Sequence, residues 1–381
     1  MTTALVNGRV LLDDGFTDAV AVLIDGASIE AVLPVADPRV RMVQHHDLHG
    51  AILAPGFIDC QVNGGGGVLF NDAPDVASIK TIARAHRRFG TTGLLPTLIS
   101  DRPETTRAAL QAVAAALTQH VPGVLGLHLE GPFLSSERKG IHDARHFRTP
   151  DTQDVELMAT LRDGCLLLTV APEHVDARII RRLAAAGITV AAGHTAATYA
   201  QTRAALDAGL RGFTHLFNAM SPLMSRAPGV VGAALEDPRS WCGIIVDGHH
   251  VHAAALRIAL AAKPRGKVFL VSDAMPPVGA ATNTFTLNGE TITCRDGRCT
   301  NAAGVLAGSA LDMATAVRNS VAMLGVPLDE ALRMASRYPA AFLGCTARYG
   351  RIAPGCAADL VLIDDAVNVH TTWIGGELQV H

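Results

Sequence analysis

Lysine is scarce in this chain. Four occur in 381 residues (Lys80, Lys139, Lys263 and Lys267), and most of the other basic side chains are arginine. There is no Lys/Arg run and the formal net charge is −3, which gives no signature of nucleic acid or another polyanion as partner. No apolar stretch reaches the roughly 18 residues that a membrane span needs. The N-terminus, MTTALVNGRVLLDDGF, lacks the charged and then apolar build of a secretory signal. Seven cysteines, odd in number and scattered, form no Cys-x2-Cys pair, which removes a structural zinc site and reads as reduced thiols in a cytoplasmic protein. Cys294 and Cys299 face each other across an Asp296-Gly297 turn, where a cross-strand bridge is possible. Reduced thiols remain the expectation.

What is present is a large core, with 49% hydrophobic and 18% charged residues. From about residue 52 to 346, apolar runs alternate with Ala-rich amphipathic stretches. The runs are AILAPGFIDCQVN, TTGLLPTLIS, GVLGLHLEGP, CLLLTVAPE, GITVAAGHT, GFTHLFNAM, CGIIVDGHH and KVFLVSDAM. Continuous apolar strands separated by helices indicate a parallel sheet covered on both faces. Eight such units over nearly 300 residues predict an α/β fold of the (β/α)8 TIM-barrel type. Residues 1–51 and about 347–381 look different: short strands punctuated by Asn-Gly, Asp-Gly and Gly-Gly turns, read as one small β-sandwich-like domain built from both chain ends. Within the barrel, residues from about 284 to 301 predict a β-hairpin inserted after the eighth strand.

Function in such barrels gathers at the C-terminal ends of the strands. Read in order, those ends offer Asp59, Gln61 and Asn63 (strand one), Glu130 (three), His194 (five), His215 (six), His249 and His250 (seven) and Asp273 (eight). A carboxylate ending an apolar strand, as in GLHLEGPF, must be hydrogen-bonded, paired or metal-bound. Glu130, His194 and His215 make a ligand set suited to one divalent metal ion per chain, Zn2+ or Fe2+, with a position left open for water. Asp273 then suits a general base. Two-metal barrel hydrolases commonly end strand one in His-x-His and carry a carboxylated lysine on strand four. Here strand one ends Gln61-Val62-Asn63, and no lysine lies near TVAPEH, so one metal is expected rather than two. Arg226, in SPLMSRAPG, reads from the residues alone as a surface arginine. Cys60 has no base motif beside it, and His45, His46, His49 and His86 read as surface or packing residues.

The motifs PGFIDCQVNG, HLEGPFL, KGIHD, AGHT, THLFNAM, DGHHV, VSDAM and LAGS occur in that order along the chain. Together they resemble the N-acetylglucosamine-6-phosphate deacetylases of the amidohydrolase superfamily. The resemblance implies that Glu130, His194 and His215 hold the metal, that Asp273 is the acid/base, and that His142 hydrogen-bonds the acetamide carbonyl. It implies that Arg226, a natural phosphate fork, and His250 bind the 6-phosphate, partly from across an interface and with the backbone N–H groups of Asn218 and Ala219 adding to them, and hence a homodimer. It places Ile141, Leu306, Ala307 and Gly308 around the sugar. The expected activity is hydrolysis of the acetamide of N-acetyl-D-glucosamine 6-phosphate to glucosamine 6-phosphate and acetate. Rival readings are the same reaction on N-acetylgalactosamine 6-phosphate, a cyclic-amide hydrolase, and an inactive sugar-phosphate-binding barrel.

Overall fold

The structure is a computed structural model and describes residues 2–381. Eight parallel strands form one continuous ladder: Phe57–Val62, Thr91–Ile99, Gly126–Glu130, Cys165–Val170, Thr189–Ala192, Gly212–Phe213, Trp241–Ile244 and Val268–Leu270. The first and the last meet at the C-terminal rim. There the Asn63 N–H is donated to the Ala274 carbonyl (2.9 Å) and the Asp273 N–H to the Gln61 carbonyl (3.1 Å). This is the expected (β/α)8 barrel, and each of the eight apolar runs supplies one strand. Every residue of Phe57–Val62 and of Thr91–Ile99 is buried, because a barrel strand packs on the interior with one face and on helices with the other.

The outer helices begin at side-chain caps that the sequence supplies. Asp75 accepts from the Ser78 amide to start Val76–Arg87, and Thr198 forms a capping box with Gln201 to start Tyr199–Asp207. Their apolar stripes (Ile79 and Ile82, for example) join the barrel core. Among the described residues, no helix is long and apolar enough to cross a membrane.

The two chain ends meet in a pair of sheets. One orders Ser28–Pro34, Val20–Asp25, Thr3–Val6 and Gln44–Asp47; the other orders Glu377–Val380, Val369–Ile374, Leu360–Ile363, Ile52–Pro55, Arg9–Leu12 and Gly15–Thr17. Leu5, Val22, Leu53, Leu360 and Trp373 lie in the shared core. The apolar run beginning at residue 52 therefore divides. Ile52–Pro55 joins the terminal sheet, and only from Phe57 does the chain enter the barrel. Gly56 marks the division, because a Cβ there would lie 1.9 Å from the Thr92 hydroxyl.

The insertion after strand eight is a four-stranded antiparallel meander: Thr284–Leu287, Glu290–Arg295, Arg298–Thr300 and Leu306–Ser309. The two-residue Asp296-Gly297 turn pairs Arg295 with Arg298 and Cys294 with Cys299. Cys294 and Cys299 form a disulfide, which corrects the expectation that all seven cysteines are free thiols. The turn fixes the register, and the register sets these two side chains directly opposite each other on one face.

Candidate active site

The C-terminal rim of the barrel opens on a cavity of about 350 Å3. Glu130, His142, His194, His215, His250, Asp273 and Asn63 line it, with Ile141, Asn218, Ala219, Leu306 and Gly308. His194, His215 and Asp273 all have positive φ, at 48°, 31° and 53°. Left-handed backbone is unusual for residues other than glycine, and here it ends the β-conformation just where each side chain must turn inward over the barrel.

One ligand atom from each of Glu130, His194 and His215 lies within 4.8 Å of the others, and all three residues are buried. Glu130 Oε1 is 2.9 Å from His215 Nε2 and 3.3 Å from His194 Nε2, and the two Nε2 atoms are 3.2 Å apart. His194 Nδ1 lies 2.9 Å from the Arg138 carbonyl, which only accepts, so Nδ1 carries the hydrogen and Nε2 presents its lone pair to the cluster. Burial opposes charge on Glu130. The adjoining His194 and His215 rings outweigh it and hold the carboxyl well below its ordinary value. Burial also opposes charge on His215, yet the bond to Glu130 raises its pKa. Three convergent buried donors that stabilise positive charge between them fit a divalent cation.

Around this centre stand the proton-handling groups. Asp273 Oδ1 accepts from Asn63 Nδ2 (2.6 Å) and Gln61 Nε2 (3.1 Å), and Gln61 Nε2 also reaches Glu130 Oε1 at 3.1 Å. Burial, and then the charge of Glu130, pushes the Asp273 carboxyl up to about 6. That range allows it to take a proton and return it near neutral pH. The Ser100 amide N–H points at His142 Nδ1 (3.4 Å), with the Ser100 hydroxyl 2.9 Å away. Nδ1 is therefore an acceptor and Nε2 carries the hydrogen. Burial, and then the neighbouring His194, lowers the His142 pKa to about 3, so the ring is neutral and a donor. His250 Nδ1 lies 2.6 Å from Asp247 Oδ2, which aims the ring.

Several expected site residues sit elsewhere or are already engaged. Arg226 is exposed, in the loop after Met220, and does not line the cavity. Ala307 is buried in the meander core beside Ile292 and Cys299. Strand alternation turns it away when Leu306 and Gly308 face the cavity. The Asn218 N–H is already donated to the His215 carbonyl at 3.1 Å, so it is not free for a ligand. Gln61 touches the cavity only through its bonds to Glu130 and Asp273. Asp59 lies beneath, accepting from the Ser272 and Gln61 amides, and burial pushes its carboxyl up to about 7. Thr195 holds Glu173, and the Ser272 hydroxyl donates to the Gln61 carbonyl.

Other lining residues were not singled out in the sequence: Ile99, Gly140, Met275, Arg298, Gly304 and Val305. Met275 closes the VSDAM motif, and Arg298 follows the Asp-Gly turn of the insertion, so both had a local signal. Gly140, within KGIHD, had one too, whereas Ile99, Gly304 and Val305 had none.

The amidohydrolase family model matches residues 52–378 of this chain. The chain belongs to the amidohydrolase family. It is 43% identical to an N-acetylgalactosamine-6-phosphate deacetylase of Shewanella sp. (strain ANA-3), over 88% of this chain and 84% of that protein. Among solved structures it resembles the N-acetylglucosamine-6-phosphate deacetylase of Pasteurella multocida, with a TM-score of 0.96 and 37% identity covering all of both chains. A Mycobacterium smegmatis deacetylase variant, solved in complex with N-acetyl-D-glucosamine-6-phosphate, superposes with a TM-score of 0.89 at 33% identity, over 100% of this chain and 99% of that one. For this amidohydrolase, the buried Glu–His–His cluster suits a divalent metal.

Proposed function

We propose that this amidohydrolase removes the acetyl group of N-acetyl-D-glucosamine 6-phosphate, giving glucosamine 6-phosphate and acetate. The observation that carries the reading is the Glu130–His194–His215 cluster beside Asp273, with Gln61 bonded to both carboxylates at the mouth of one cavity. Glu130, His194 and His215 would hold one Zn2+ or Fe2+, which when bound acidifies water and polarises a carbonyl. The chain's own residues do the rest. Asp273 accepts the proton of the attacking water as oxygen bonds to the acetamide carbon. His142 donates its Nε2–H to the carbonyl oxygen as negative charge develops there. Asp273 then delivers the proton to nitrogen as the C–N bond breaks, and the water's second proton passes from the new carboxyl group to the amine, so the products are acetate and a protonated amine.

His250 and the Ala219 N–H would receive the 6-phosphate end, with Ile141, Leu306 and Gly308 against the sugar, a reading supported by their shared cavity lining. In a homodimer, Arg226 on its exposed loop would serve a neighbouring subunit's cavity. The galacto epimer is a second reading, favoured by the name of the Shewanella relative. Acetate release from both epimers, with metal content and molar mass measured on the same sample, tests all of this. Turnover of the gluco substrate with about one metal per chain supports the proposal. Preference for the galacto epimer keeps the chemistry and changes the substrate, and no acetate from either after Zn2+ or Fe2+ is added back rejects it.

A further inference from the structure

The cavity has a cation that the reaction scheme does not use. Arg298 lines it together with Gly304, Val305 and Leu306 of the same inserted meander. Among the described residues its guanidinium forms no hydrogen bond or ion pair, and Arg295, directly opposite across the turn, has none either. Like charges placed opposite each other on one face repel. Asp296, in the turn between them, bonds neither. Arg298 therefore stands at the cavity without a protein anion to neutralise it, and its guanidinium is free to meet an anion bound there.

The hairpin that carries Arg298 is fixed rather than loose. The Cys294–Cys299 disulfide lies immediately beside Arg298. His249 Nε2 donates to the Asp296 carbonyl at 2.9 Å. The His249 and His250 amides both donate to Asp247 Oδ1, at 2.8 and 2.9 Å, while Asp247 Oδ2 holds the His250 ring. One buried carboxylate thus aims His250 into the cavity and sets His249 against the turn. Arg298 is thereby tethered on the His250 side of the mouth.

We infer that Arg298 is a specificity residue for the phosphate of the substrate, and that His249 positions it through the hairpin turn. This rests on the deacetylase reading and adds to it a cation from the same chain. A planar guanidinium presents two parallel N–H donors to two phosphate oxygens, a match that an uncharged hydroxyl does not repay. The deep end of the cavity, at Glu130, His194 and His215, does the bond breaking, and Arg298 discriminates at the rim.

The test compares the wild-type protein with Arg298→Ala, Arg298→Lys and His249→Ala. Each is assayed for acetate release from the phosphorylated and unphosphorylated sugar, and for binding of inorganic phosphate by calorimetry. Loss of a charge-assisted contact should raise KM for the phosphorylated sugar about tenfold or more in Arg298→Ala, with kcat within about twofold. The unphosphorylated sugar should be unaffected, phosphate binding should weaken in parallel, Arg298→Lys should recover part, and His249→Ala should give a smaller shift of the same kind. Wild-type turnover with an unchanged KM in Arg298→Ala, or an equal loss on both sugars, overturns the role of Arg298 and leaves the deacetylase reading intact. A wild-type protein releasing no acetate overturns that reading instead. Phosphate affinity then decides the remaining question alone: equal binding by wild type and Arg298→Ala rejects Arg298 as a phosphate ligand.

Discussion

Gln61 and Asp273 are 212 residues apart in sequence and meet at 3.1 Å, where the Gln61 amide donates to Asp273 Oδ1. The same nitrogen lies 3.1 Å from Glu130 Oε1, so one amide spans the metal-ligand carboxylate and the proposed base. A hydrogen bond to an ionised carboxylate lowers its pKa. Replacing Gln61 with Leu removes that donor, and Asp273, already pushed up to about 6, becomes harder to ionise. The acid limb of kcat/KM should therefore move to higher pH by roughly one unit, with the basic side little changed. Initial rates from pH 5 to 8 read this, and an unmoved acid limb disconnects Gln61 from the base.

Asp273→Asn keeps an oxygen for Gln61 and Asn63 to donate to but cannot take a proton. Turnover should fall by roughly 10²- to 10⁴-fold, the range that general acid–base catalysis contributes. Metal content should be nearly unchanged, because the Glu130–His194–His215 set is intact. Acetate release and metal analysis on one preparation separate the two effects. A fully active Asp273→Asn protein would end the assignment of Asp273 as the base.

His215→Ala leaves two of the three converging donors. Bound metal should drop well below one per chain and activity with it. Chelation of the wild-type protein should do the same reversibly, with Zn2+ or Fe2+ restoring turnover only where His215 is present. Near-stoichiometric metal in His215→Ala would mean that the cation sits elsewhere.

The barrel was legible because its strands are continuous apolar runs. The metal cluster was legible because a carboxylate or imidazole ending such a run has few roles besides ligation and proton transfer. Contacts across the site were less legible. No pattern tells that Asn218 gives its N–H to the His215 carbonyl, since that follows from a tight turn with Phe217 and Ala219 at positive φ. Ala307 was assigned to the sugar by its motif, whereas its face is decided by the register of a meander whose last strand pairs across an irregularity. The Cys294–Cys299 pair shows local geometry overriding composition. A count of thiols speaks of the cell compartment, and a two-residue turn speaks of which atoms touch.

The terminal β-domain carries its own titrating group, distant in function from the metal cluster. Burial raises the Asp359 carboxyl to about 6 from the ordinary 3.8, although Arg348 and Arg87 pull it the other way. Its Oδ1 accepts the Gly375 N–H at 2.7 Å, a bond that asparagine retains. An acid whose folded pKa lies above its unfolded value favours the folded state most below the unfolded pKa. That contribution is lost as pH rises through the folded value, here between about pH 4 and pH 6. At pH 8 the wild-type protein must hold a poorly solvated carboxylate, and Asp359→Asn need not. The substitution should stabilise the protein at pH 8 by up to about 2 kcal/mol, discounted because the side chain is only partly buried, and by little at pH 4. Denaturant unfolding at the two pH values measures the difference. Equal effects at both would show that Asp359 is not ionising in the folded protein in that range, and a loss at pH 8 would show that its charge is held by the two arginines after all.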